Sequence, residues 1–143
     1  SGDLLWSCNF AIRREAFISL GGFNEDFPAP AMEDVEFNLR ANEACLSRAF
    51  VPDALVLHPW RLRKGRSFVE EHSKSIAMFV FLHPKNAKNF SMSSQFLKLV
   101  RMFKSRIMYC AKSGQFAGLI RAFYLDCCSC FMTWNAVRQV YLR

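Results

Sequence analysis

Apolar residues are arranged differently on the two sides of residue 61 in this 143-residue chain. Up to Trp60 they come in short runs broken by glycine, proline and polar pairs; beyond it they recur at helical intervals over long stretches. Leu4–Phe10 (LLWSCNF) is short and largely apolar, which predicts a strand. Arg13–Leu20 places Ala16, Phe17 and Leu20 at helical spacing and predicts a short helix. Gly21 and Gly22 end it, because glycine takes the left-handed conformation that caps a helix and lets Phe23 fold back onto the last turn. Pro28 and Pro30 mark Asn24–Met32 as loop. A second helix is expected near Glu33–Asn42, where Val35 and Leu39 fall four apart. Ala49–Val51 and Ala54–Leu57 are expected as short extended segments around a Pro52-Asp53 turn. His58, before Pro59, is biased to extended backbone.

After the basic loop Arg61–Arg66, helices are expected over Ser67–Leu82 and Ser94–Lys112, with a third in Phe116–Leu142. Within the second of these, Phe96, Leu99, Val100, Phe103, Ile107 and Cys110 follow one stripe, while Lys98, Arg101, Lys104 and Lys112 lie away from its centre. Such a helix either lies in a membrane interface or packs on a domain with a solvated basic face. No run reaches the ~18 charge-free residues of a membrane span, since Arg121 and Asp126 interrupt the best candidate, Gln115–Trp134. Ser1–Leu5 carry Asp3 and no basic n-region, so no secretory leader is expected there.

Composition changes this picture in two places. The apolar fraction of 52% and aromatic fraction of 15% suffice for a core and exclude intrinsic disorder. The net charge of +7 is unevenly spread: residues 1–60 hold four basic and nine acidic residues, residues 61–143 fifteen and three. A basic tail of this kind faces something anionic, such as lipid headgroups or nucleic acid; no recognised nucleic-acid motif accompanies it. The six cysteines (Cys8, Cys45, Cys110, Cys127, Cys128 and Cys130) have irregular spacing and read as reduced residues packed as small apolar groups. Cys127 and Cys130 form one C-x-x-C without the further ligands that zinc requires. Reduced cysteines point to a cytoplasmic setting.

Between Trp6 and Trp60 an ordered series of motifs stands out: Asn9, Arg13-Arg14, Gly21-Gly22-Phe23-Asn24-Glu25, Glu33-Asp34, Arg40, Val51-Pro52-Asp53-Ala54 and His58-Pro59. The series resembles the C-terminal, acceptor-side part of family 2 glycosyltransferases, and its Glu-Asp and histidine elements are also similar to the galactosyltransferase group. The resemblance implies an α/β fold: residues 1–60 as the acceptor-side part of a GT-A domain, residues 61–143 as a basic, mainly helical extension. It also implies a donor-binding half with an Asp-x-Asp metal motif. No Asp-x-Asp occurs in the sequence, so that half is expected outside the chain, and the chain by itself is not expected to transfer sugar.

The activity implied is transfer of a sugar, with inversion, from a nucleotide-sugar donor to a saccharide, lipid-linked or polymer acceptor. Such chemistry needs a base for the acceptor hydroxyl and positive charge for the departing diphosphate. The resemblance places the base on Asp34, with Glu33 beside it accepting hydrogen bonds from sugar hydroxyls. Both stand at a helix start, where carboxylates also occur simply to favour the helix. Asn9 is implied at the sugar pocket, or else fixes a strand edge; Arg40 is implied in substrate binding, or else pairs with an acidic neighbour. His58 is implied as a ligand of a divalent metal, Mn or Mg, the other ligands coming from the donor-binding half. His83 has no motif around it. The alternative is non-catalytic: an acceptor-recognising or membrane-associating piece, peripheral on the inner face of a membrane.

Overall fold

In the computed structural model, which describes residues 7–57 and 65–142, every regular element is helical. The chain divides into two units, Ser1–Leu62 and Arg63–Arg143. The first contains α1 (Arg14–Ser19) and α2 (Glu33–Glu43); the second contains α3 (Arg66–Leu82), a 3-10 helix (Pro84–Phe90), α4 (Met92–Ser113) and α5 (Leu119–Tyr141).

This corrects the α/β expectation, for the described residues contain no strand. A strand exists only through the hydrogen bonds it exchanges with a neighbour. The segments expected to supply them make local bonds instead. Ala54 N–H donates to Val51 O at 3.1 Å and Leu55 N–H to Asp53 O at 3.0 Å, which closes the anticipated Pro52-Asp53 turn without a ladder. Phe50, Leu55 and Leu57 are 82%, 85% and 98% exposed. Of Leu4–Phe10, residues 7–9 form turn and bend, and residues 4–6 lie outside the described part.

In the first unit, α1 ends in a cap built by glycine. Gly21 N–H donates to Ile18 O at 2.9 Å and Gly22 N–H to Phe17 O at 3.0 Å, with φ of 80° and 69°. This pairing satisfies carbonyls that a helix end leaves open. A Cβ on Gly22 would stand 3.2 Å from the Phe17 ring. The core of the unit is four rings. Phe37, fully buried, has its centroid 5.1 Å from Phe23, 5.4 Å from Phe17 and 6.3 Å from Phe10. The buried apolar residues of α2 are Phe37 and Ala41, whereas Val35 and Leu39, the pair that suggested the helix, are half-buried.

In the second unit, α3 and α5 share a seam. Val69, Ser73, Ile76 and Val80 of α3 and Asp126, Cys130, Thr133 and Val137 of α5 are all buried, and both sets repeat at intervals of four, three and four. That rhythm keeps one stripe of each helix facing inward. Ser73 Oγ and Thr133 Oγ1 lie 3.3 Å apart. Tyr141 Oη donates to Pro84 O at 3.2 Å. The 3-10 helix escaped sequence reading because its run, PKNAKNF, has no apolar period. Ser91 caps α4 by accepting from Ser94 N–H, and Gly114, at φ 68°, ends it. Arg106 of α4 binds Asp126 of α5 through two bonds, Nε–Oδ2 at 2.5 Å and Nη2–Oδ1 at 2.9 Å. Asp126 is fully buried, and its hydrogen bond holds the guanidinium pKa above the ordinary arginine value. All six cysteines are free; Cys110 and Cys130 are buried, Cys8 and Cys45 exposed. Burial pushes the Cys130 thiol pKa up.

Candidate functional site

Two consecutive carboxylates open α2, and the chain enters that helix through an unusual residue. Met32 has φ 76°, a left-handed conformation uncommon for any residue with a side chain. Its carbonyl nevertheless accepts the Glu36 N–H at 2.8 Å. The turn sends Glu33 and Asp34 in different directions.

Glu33 lines a cleft of about 280 Å³ together with Ser7, Phe23, Asn24, Glu25, Phe27, Ala29 and Pro30. Its Oε2 is buried and accepts no hydrogen bond from any described residue. A buried acceptor in that state costs free energy until a donor arrives, about 1–3 kcal/mol for an unsatisfied group. The lining mixes rings, a proline and oxygen acceptors. Asn24 Oδ1 holds its own loop by accepting from Asp26 N–H at 2.9 Å.

Asp34 does not line that cleft. Its Oδ1 accepts from Val35 N–H at 2.8 Å. Its Oδ2 accepts from both the N–H and the hydroxyl of Ser7 at 3.3 Å. Ser7 is itself a lining residue, so it links the Asp34 carboxylate to the cleft wall. Sequence reading did not single out Ser7 or Phe27. Phe27 carries a signal nonetheless: it is the one aromatic residue of the loop Asn24–Met32, set between Asp26 and Pro28.

Asn9 and Arg40 lie elsewhere. Asn9 Nδ2 donates to Ala54 O at 2.8 Å, fastening the Pro52-Asp53 turn to the beginning of the chain. Arg40 forms a fork with Glu36, Nε to Oε1 and Nη2 to Oε2, both at 2.7 Å. Its Nη2 also donates to Gly22 O at 2.7 Å, and its Nη1 to Leu20 O. The guanidinium is thereby tied to the end of α1, with its carbon 5.3 Å from the Phe37 ring centroid. His58 lies outside the described residues. Among the described residues no group of three His, Cys, Asp or Glu side chains could hold a metal ion. What the site offers chemically is a pair of carboxylates, one in the cleft wall with an unpartnered oxygen and one tethered beside it.

No curated protein and no solved structure matches the chain significantly. The family model described as glycosyltransferase like family 2 matches residues 4–111. That span contains the Gly-Gly-Phe cap, both carboxylates and the Arg40 fork, and it continues through α3 and most of α4. A match of this length over the ordered motifs places the chain in the glycosyltransferase-like family 2.

Proposed function

We propose that the cleft beside Glu33 receives the acceptor of a glycosyl transfer, and that the Glu33–Asp34 pair prepares its hydroxyl for attack on a nucleotide-activated sugar. The observation that carries this reading is the buried, unpartnered Glu33 Oε2 in the cleft wall. A sugar hydroxyl supplies the missing donor, while the C–H faces of a pyranose suit the rings of Phe23 and Phe27. In the transfer, the hydroxyl oxygen bonds to the anomeric carbon as the bond from that carbon to the diphosphate breaks. The hydroxyl proton passes to a carboxylate. Asp34 takes that role, with Ser7 holding its position and Glu33 orienting the attacking group. Asn9 and Arg40 support the site by fixing the segments around it.

A second assignment has its own observation. Glu33 lines the cleft and Asp34 does not, so Glu33 is the rival base. Both versions are tested by incubating the protein, complete with its donor-binding half, with a panel of nucleotide sugars and saccharide or lipid-linked acceptors and following released nucleoside diphosphate. With Asp34 as base, Glu33→Gln raises the acceptor KM and keeps most of kcat, because an amide oxygen still accepts a hydrogen bond. A loss of kcat in Glu33→Gln on the scale of a missing general base, roughly 10²–10⁴-fold, moves the base to Glu33. Release that does not depend on an acceptor contradicts both.

A further inference from the structure

The packing of the second unit leaves one face of α4 and α5 uncovered, and that face is both apolar and singly charged. Phe96, Val100, Phe103 and Ile107 follow one another along α4 at intervals of four, three and four, which sets them in a single stripe. They are 66%, 46%, 40% and 42% exposed. Ile120, Phe123, Tyr124 and Phe131 of α5 are exposed as well. Phe103 and Phe123, with centroids 4.9 Å apart, join the two stripes into one surface. The buried residues of α4 are Gln95 and Cys110; the stripe is covered only where it ends, at Cys110.

The exposed charges that flank this surface on α4 and at the start of α5 share one sign. Between Met92 and Leu125 there is no acidic residue. Lys98, Arg101, Lys104, Lys112 and Arg121 are all exposed. The next acidic residue, Asp126, is fully buried and bonded to Arg106.

We propose that this two-helix face binds an anionic phospholipid surface. An acyl–headgroup boundary accepts the rings and aliphatic groups, and anionic headgroups take the five cations, whose long stems let the charges reach outward. A second copy docking on the same face would set cations against cations with nothing negative between them, which a self-complementary interface does not tolerate. No helix among the described residues is long and apolar enough to cross a membrane, so these helices lie in the plane of the interface. The inference rests on α4 and α5 alone and is independent of the cleft.

Vesicle flotation of the unmodified chain tests it, with phosphatidylcholine alone against phosphatidylcholine containing one quarter phosphatidylglycerol. The expected result is at least about tenfold stronger binding to the anionic vesicles at low salt, fading as salt rises. The triple variant K98E/R101E/K104E should bind about 100-fold more weakly, since each cation near such a surface contributes about fivefold. Phe96→Ser with Ile107→Ser, both at exposed positions, should lower anionic binding about tenfold while circular dichroism stays unchanged. Equal binding to neutral and anionic vesicles, or binding to neither, overturns the proposal. So does self-association in sedimentation that the same substitutions abolish without any vesicle binding.

Discussion

Arg40 stands six residues after Asp34, a spacing that suggested either a substrate contact or an ion pair with a structural role. Its guanidinium bonds Glu36 twice and reaches the carbonyls of Leu20 and Gly22. Those carbonyls lie 18 and 20 positions away, a distance no local pattern encodes, whereas Glu36, one helical turn back, is visible from spacing. Glu36 is only 4% exposed and Arg40 24%, so this is a largely desolvated pair. Removing the guanidinium takes both bonds of the fork from a buried carboxylate, and Arg40→Ala should destabilise the protein by about 3 kcal/mol. Arg40→Lys should recover little, because an ammonium cannot reproduce the planar fork. Thermal unfolding of both variants checks this; a lysine variant as stable as the native protein contradicts the account. At the same scale, Phe17 and Phe23 were legible as a ring folding back over a helix end. Phe37 was not: Val35 and Leu39 also lie at helical spacing, and sequence alone did not choose between the faces of α2.

Among the elements, every α-helix was legible, while the strands that were expected do not form among the described residues, for one physical reason. A helix closes its own hydrogen bonds, so the interval between apolar residues is enough to announce it. An extended segment needs a neighbouring strand, and Phe50–Leu57 pairs with none among the described residues; its apolar character therefore pointed to a sheet that those residues do not contain. The seam between α3 and α5 shows what periodicity leaves out. Asp126 occupies a core position of α5, where the same pattern reads a charge as an interruption, and Arg106 of α4 answers it from 20 residues away. Asp126→Ala should cost about 3 kcal/mol, typical of breaking a buried ion pair, and should loosen α4 from α5. Hydrogen exchange read along the chain distinguishes this from a general loss: protection should fall most in α4. A uniform decrease across α3, α4 and α5 contradicts a specific tie.

Taken as a whole, the chain combines an acidic stretch carrying the candidate site with a basic helical one, and the family match runs through both, from residue 4 to residue 111. The Glu33-Asp34 pair was legible because it sits in an ordered motif series. The surroundings of the two carboxylates were not, since they involve a left-handed Met32 and Ser7, 27 residues from Asp34. The central claim is that this pair activates an acceptor hydroxyl, with Asp34 taking the proton. Its most direct test is the turnover of Asp34→Asn in the protein complete with its donor-binding half, at saturating donor and acceptor, measured beside its thermal unfolding. The account predicts a loss of roughly 10²–10⁴-fold in rate. The stability change should stay within about 1 kcal/mol, as expected for a carboxylate in the first turn of a helix. Near-native turnover from a folded Asp34→Asn protein would contradict it.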